Sequence, residues 1–354
     1  MNLKTVSLGF IYFKNLIFCK PTSINFLPTD ACCLRCKHCD IWKNKKIKKN
    51  SSFDDSKKII DALSAWLGSF KLNFSGGEVL LDKKLFRLID YANKKNITCS
   101  VNTNGVLIND KKAEEIVKSK LDILVISLDG IKSKTHDYLR GVDGTYKKVI
   151  NAIKLINKHK ARYKQKKPLI FITTVIYKKN IDEIIDLIKW VKKNNLGGVG
   201  FQPLFSNYFF GGEKYENNWY KKSKLWPQDY KKIGTIINKI ISLKNNGYLV
   251  KNSKAELLAF LEYFKNPNFE YTENKCSVGT KNFSIETNGD VRLCYMFPPI
   301  GNILKDNPKA IWKSKKALIQ RKGILLCKRN CKILLCNRNH NFTELLKRFM
   351  QMLS

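Results

Sequence analysis

Ile123-Leu124-Val125-Ile126-Ser127-Leu128 is an almost unbroken apolar run that ends on Asp129-Gly130. A strand with one solvated face alternates apolar and polar residues, whereas a continuous apolar run is expected in the covered strands of a parallel sheet. The neighbouring segments fit that reading. Upstream lie a strand, Ile97–Asn102, and a helical pattern, Asp110–Lys118. Downstream come a helix over Tyr146–Lys158, entered through Gly144-Thr145, and a strand over Leu169–Ile176. Further out, strands are expected at Ser23–Pro28, Lys71–Ser75 and Val199–Leu204, with helices over Asp54–Leu67 and Ile181–Val191. Another helix is marked by Leu85, Leu88, Ile89 and Ala92, with Asp82 as its expected N-cap. Six strand–helix alternations predict a parallel α/β architecture, either an open sheet or a barrel.

Parallel α/β folds gather their ligands at the carboxyl ends of the strands. Four successive strand ends here carry polar and glycine residues. The first is followed by Asp30-Ala31-Cys32-Cys33-Leu34-Arg35-Cys36-Lys37-His38-Cys39, the second by Ser75-Gly76-Gly77-Glu78. Asn102-Thr103-Asn104-Gly105 ends the third and Ser127-Leu128-Asp129-Gly130 the fourth. Glycines at such ends let backbone amides and carbonyls approach a ligand closely. Cys32, Cys36 and Cys39 form CxxxCxxC, with Cys33 as a competing start. Three thiolates leave one coordination position of a metal centre open, which suits a reactive centre. A structural zinc ribbon would instead want a second CxxC within roughly 20 residues, and none follows Cys39 before Cys99.

The chain of 354 residues is 44% hydrophobic and 27% charged, as a globular protein of more than one unit would be. Its net charge of +37 comes from lysine runs such as 43–49, 164–167 and 221–224. Lysines spread over nearly the whole length read first as solvated faces. Attraction to nucleic acid or an anionic surface is the competing reading. Eleven cysteines in clustered groupings do not resemble a secreted disulfide scaffold, which implies reduced thiols and a cytoplasmic setting. The apolar stretch 6–18 is interrupted by Lys14 and too short to span a bilayer. It is expected to pack on the main domain.

The order of these motifs resembles the radical S-adenosylmethionine enzymes from about Thr22 to Phe210. CxxxCxxC, SGGE and SLDG recur there in this sequence, followed by His136-Asp137, Arg140-Gly141 and Gly144-Thr145-Tyr146. The resemblance implies a partial (β/α)6 barrel in which Cys32, Cys36 and Cys39 hold a 4Fe–4S cluster whose fourth iron binds S-adenosylmethionine. It implies cofactor contacts from His38, Ser75, Gly76, Gly77, Glu78, Asn104, Ser127, Asp129 and Arg140. Among these, Glu78 suits the amino group and the Arg140 fork the carboxylate. It further implies an electron donor such as a flavodoxin or ferredoxin. Cys33 reads as a spectator, and His136 as a capping or packing residue.

A second set of cysteines follows. Cys276 and Cys294 flank an expected β-hairpin with its turn at Asn288-Gly289, and Cys327, Cys331 and Cys336 come later. This region resembles the SPASM or twitch extension of the same superfamily, a small Cys-rich α+β domain with auxiliary iron–sulfur clusters. A full SPASM framework has seven cysteines and two clusters. The five here imply one auxiliary 4Fe–4S cluster held by four of them, with His340 as a further candidate and zinc as the alternative metal. Cys19 and Cys99 are expected in the core. The expected organisation is an extension (1–21), a core barrel (22–215), a helical bridge (216–270), a cluster domain (271–340) and a basic amphipathic tail (341–354). The implied activity is reductive cleavage of S-adenosylmethionine and hydrogen abstraction from a peptide, protein or metabolite, with net oxidation or rearrangement assisted by the auxiliary cluster. The competing expectations are an RNA-modifying enzyme of the same class and a zinc-stapled, basic nucleic-acid-binding protein.

Overall fold

The computed structural model describes residues 20–43, 51–206, 218–268 and 276–333. Its described strands form one sheet in the order β6-β5-β4-β3-β2-β1-β7-β8-β9. The parallel part consists of β1 (Ser23–Thr29), β2 (Lys71–Gly76), β3 (Thr98–Thr103), β4 (Ile123–Ser127), β5 (Leu169–Ile176) and β6 (Val199–Pro203). Between them run α1 (Phe53–Leu67), α2 (Leu85–Lys94), α3 (Asp110–Lys118), α4 (Ser133–Arg140), α5 (Thr145–Arg162) and α6 (Ile184–Lys193). Local chemistry sets several boundaries. Ser52 and Asp55 form a reciprocal capping box at α1, and Asn109 caps α3. Asp82 does not cap α2 directly: Oδ1 accepts the Lys84 N–H in the preceding turn (2.9 Å), and the helix begins at Leu85.

Burial alternates along β2, β4, β5 and β6. Leu72 and Phe74 on β2, Leu124 and Ile126 on β4, and Ile170 and Ile172 on β5 are buried in the core with the helices. The intervening Asn73, Val125 and Phe171 are half-buried. One face is therefore covered by helices and the other left hollow, as in a partial TIM-like barrel rather than a doubly wound sheet. The apolar run at β4 does not signal two covered faces. It arises because this side of the hollow is itself apolar, through Val125 and Phe171, whereas the other side is polar.

The C-terminal strands do not form a sheet of their own. β7 (Asn282–Ile285) lies parallel to β1, with Asn25 opposite Ser284, and extends the barrel sheet. β8 (Asp290–Arg292) returns antiparallel through the expected turn, with Gly289 at φ +85°, and β9 (Gly301–Asn302) pairs with β8. Trp66, Phe283 and Trp312 pack with their rings tilted or T-shaped to one another across the junction (ring centroids 5.8–6.3 Å). On the hollow face a polar ladder crosses it too. Ser100 Oγ donates to Asn73 Oδ1 (2.8 Å), Asn73 Nδ2 to Asn25 Oδ1 (3.1 Å), and Asn25 Nδ2 to Ser284 Oγ (3.3 Å). At the far edge, Asn252 pairs with both backbone groups of Phe201 and ties the helical segments Tyr230–Asn245 and Lys254–Lys265 to β6. The apolar stretch 6–18, Cys19, Cys336, His340 and the tail lie outside the described residues. Cys99 is fully buried in β3, a core residue as expected.

Candidate active site

The cysteine loop leaves β1 and folds over the ends of β2 and α4. Gly77 N–H donates to Thr29 O (3.0 Å) and Glu78 N–H to Ala31 O (2.7 Å). A Cβ at Gly77 would stand 2.1 Å from Ala31 O, and one at Gly76 2.6 Å from Thr29 O, so only glycine lets the loop lie this close. On its other side Arg35 N–H reaches Arg140 O (3.2 Å) and Lys37 N–H reaches Leu139 O (2.9 Å). A Cβ at Gly141, which has φ +69°, would meet Arg35 O at 2.2 Å.

These clamps bring Cys32, Cys33, Cys36 and Cys39 together. Burial pushes the Cys32 thiol up to about 11, with Cys36, Cys33 and Glu78 adding to the effect. Burial also raises Cys36, against the nearby Arg140, and Cys39, with Cys36 adding to it. Thiols that are desolvated and would repel one another when ionised need a cationic centre to become thiolates. The donor set therefore fits an iron cluster. Cys33 faces Asn104, whose Nδ2 lies 3.5 Å from its Sγ.

Two expected carboxylates are committed to the chain's own groups. Glu78 is fully buried. Its Oε1 accepts from Thr103 Oγ1 (2.6 Å) and Leu80 N–H (3.1 Å), and its Oε2 from Asn104 N–H (2.8 Å). Asp129 is also fully buried. Its Oδ2 receives both Nε and Nη2 of Arg140 (2.7 and 2.6 Å) and its Oδ1 the Val175 N–H (2.9 Å). Arg140 Nη1 lies 3.9 Å from Cys36 Sγ. Burial and Arg140 hold His38 down at about 4, so its ring is neutral, and Nδ1 is buried without a partner among the described residues. His136 Nδ1 accepts the Asp129 N–H (3.1 Å), which makes it a bracing residue for the strand end. Ser75 and Ser127 sit half-buried on the hollow face beside these groups.

Several supporting residues carry no local sequence signal. Glu183 Oε2 accepts the N–H groups of Ile131 and Lys132 (2.8 and 3.1 Å), and Asn180 Nδ2 donates to Asp129 O (2.8 Å). Both lie about fifty positions from the strand end they hold, so no spacing pattern announces them.

Residues 26–191 match the family model of the radical SAM superfamily, and residues 276–337 match SPASM, an iron–sulfur cluster-binding domain. The chain belongs to the radical SAM superfamily. The zinc-stapled, non-catalytic reading is thereby set aside. As a radical SAM protein with a SPASM domain it takes a 4Fe–4S cluster, S-adenosylmethionine and further iron–sulfur ligation. The antilisterial bacteriocin subtilosin biosynthesis protein AlbA of Bacillus subtilis is 25% identical over 304 residues, 84% of this chain. The chain spans 60% of that relative's length. An AdoMet-dependent heme synthase of Methanosarcina barkeri is 23% identical, covering 83% of this chain and 82% of the relative. Streptococcus suis SuiB, solved bound to the precursor peptide SuiA, has the same fold: TM-score 0.67, 17% identity, 91% of this chain and 75% of that one.

In the SPASM region of this radical SAM chain, Cys276 and Cys294 flank β7 and β8, and Cys327 follows the helix Lys315–Leu325. Burial pushes Cys276 up to about 11, with Cys294 and Cys327 adding to it, and raises Cys294 in the same way. These three thiols thus lie near one another. Cys331 is buried in the turn Asn330–Ile333, and Cys336 lies outside the described residues.

Proposed function

We propose that this chain is a peptide-modifying radical SAM maturase. The observation that carries the reading is the convergence of three thiols of the loop after β1, Cys36 buried and Cys32 and Cys39 half-buried, at the mouth of a hollow barrel. When bound, the cluster and S-adenosylmethionine supply one-electron cleavage of a C–S bond and a 5′-deoxyadenosyl radical for hydrogen abstraction. The chain's residues hold, orient and dry that chemistry.

In this reading Cys32, Cys36 and Cys39 are the cluster ligands. Gly76 and Gly77 allow close backbone approach to the cofactor, and His38, Ser75, Asn104 and Ser127 line its position. Glu78 acts by fixing the Asn104 backbone rather than by touching the amino group. Arg140 braces Asp129 and faces Cys36, so its fork is not offered to the carboxylate in this state. Cys276, Cys294 and Cys327, completed by Cys331 or Cys336, hold one auxiliary cluster, an acceptor for an electron from the substrate.

The hollow supports a peptide as substrate. Asn25, Asn73, Ser75 and Asn102 form a wall of neutral amides and hydroxyls, and Gln202 faces them from β6. Such groups match backbone and side-chain amides, whereas the carboxylates of a tetrapyrrole call for cations. Lys71 stands at one end of the wall, and Lys251 Nζ lies 4.2 Å from the Phe171 ring centroid on the apolar side. Clustered thiols suit a reducing cytoplasm, with an acidic flavodoxin or ferredoxin as reductant.

The test is anaerobic reconstitution followed by iron, sulfide and zinc analysis, with 5′-deoxyadenosine and methionine measured after reduction. About eight irons, as two 4Fe–4S clusters require, together with cleavage supports the reading. Zinc without iron overturns it.

A further inference from the structure

The outer side of the cysteine loop carries two stacked cation–aromatic groups. Trp42 Nε1 donates to Cys36 O (3.1 Å), and the Arg35 guanidinium stands 5.4 Å from the Trp42 ring centroid. Arg35 Nη1 also donates to Leu34 O (3.0 Å) and Cys32 O (3.3 Å), so this stack touches the backbone of two cluster-bearing residues. Lys43 Nζ lies 5.9 Å from the same ring and 3.2 Å from Asp40 Oδ1. Beside it, Lys37 and Lys179 place Nζ 5.0 and 4.0 Å from the Tyr138 ring.

Cations outnumber acids on this face. Arg35, Lys37, Lys43, Lys132, Lys134 and Lys179 are exposed, whereas Asp40, Asp129, Asp137 and Glu183 are buried. Of the exposed acids nearby, Asp182 is paired with Lys232, and Asp143 is the other. Most of its acids point inward, its cations point outward, and aromatic rings lie between the cations. A lysine-decorated solvated face does not require rings that contact the backbone of Cys36.

We propose that this face, Arg35–Trp42–Lys43 beside Lys37–Tyr138–Lys179, docks an acidic flavodoxin-type electron carrier, and that the electron passes Trp42 to the Cys36 side of the cluster. The inference rests on the proposed function. One electron leaves the carrier's flavin hydroquinone, which becomes the semiquinone, and the oxidised 4Fe–4S cluster gains it. No bond forms or breaks in this chain. Complementary charge raises the encounter rate and makes it salt-dependent.

The experiment is stopped-flow reduction of the reconstituted cluster by flavodoxin hydroquinone, compared with photoreduction by 5-deazariboflavin. Wild type should show a rate that falls steeply between about 25 mM and 0.5 M salt, as screening shortens the field. Lys37→Glu/Lys179→Glu should cut the low-salt flavodoxin rate about tenfold or more, with photoreduction and iron content unchanged. The distant pair Lys94→Glu/Lys118→Glu should leave the rate alone. A wild-type rate insensitive to salt overturns the proposal even where the variant fails to fold. So does an unchanged rate in the variant, or a variant that loses only binding to a single-stranded oligonucleotide. Wild type that takes up no iron overturns the functional reading instead.

Discussion

Nε and Nη2 of Arg140 converge on one oxygen of Asp129, Oδ2, at 2.7 and 2.6 Å, inside the fold and next to Cys36. Burial opposes ionisation of Asp129, but Arg140, the neighbouring imidazoles and the Val175 N–H together outweigh it and hold the carboxyl below the usual carboxylate range. Val175 N–H takes the other oxygen, so the pair joins β5, the end of β4 and the cysteine loop.

Removing one partner leaves a buried uncompensated charge. Arg140→Ala should cost about 3–5 kcal/mol in urea unfolding of the reconstituted protein. Asp129→Asn combined with Arg140→Ala should recover part of that. A single variant within about 1 kcal/mol of wild type would place the pair's role elsewhere.

Gly77→Ala should expel the cluster without unfolding the barrel. The new methyl would collide with the Ala31 carbonyl, a backbone atom that cannot swing aside. Iron should fall by about four per chain, one 4Fe–4S cluster, with an unchanged far-ultraviolet circular dichroism spectrum. Gly234→Ala is the control. Its Cβ finds nothing nearer than Leu261 at 3.7 Å, and in mid-helix it should stabilise by about 0.5–1 kcal/mol. Full iron in Gly77→Ala would refute the close-approach argument.

Truncation before Cys276 is a poor test of the auxiliary cluster, because β7 covers the edge of β1. Cys276→Ala/Cys294→Ala leaves that strand in place. Iron should fall by about four per chain while S-adenosylmethionine cleavage persists. Iron equal to wild type would remove these two residues from the ligand set.

Asp137 gives the fold an acid-sensitive joint between α4 and α5. Burial would raise its pKa, but hydrogen bonds from Thr145 Oγ1, Tyr146 N–H, Ser133 Oγ and Gly144 N–H outweigh it and hold it below the usual range. A depressed folded pKa contributes stability that is present above the unfolded value of about 3.9 and lost as pH falls through the folded one. Asp137→Asn should cost about 0.5–2 kcal/mol at neutral pH. Its disadvantage should shrink below about pH 4, read as urea midpoints across pH. A constant difference between the two proteins would contradict the assignment.

Elements with a local period were legible. β5 spans Leu169–Ile176 and α3 Asp110–Lys118 as their patterns predict. The cysteine spacing located the loop, because three thiols within eight residues are near enough in the chain to meet once the clamps to Thr29, Ala31, Leu139 and Arg140 fold it. Glu78 was legible as a carboxylate at the end of β2, but its partners were not readable. Whether a carboxylate meets a ligand or the N–H of Asn104 depends on strand register, which one-dimensional spacing does not contain.

The sequence by itself determined the parallel α/β order, the cluster motif and the placement of polar residues at the strand ends. Each of these follows from side-chain periodicity or from neighbours a few residues apart. The tertiary structure alone decided that Asp129 and Arg140 neutralise each other, that Glu183 and Asn180 hold a strand end fifty residues away, and that β7 joins β1. Those choices arise from pairings between distant segments, where burial makes an unpaired charge or an open strand edge costly and selects whichever partner the packed chain brings within reach.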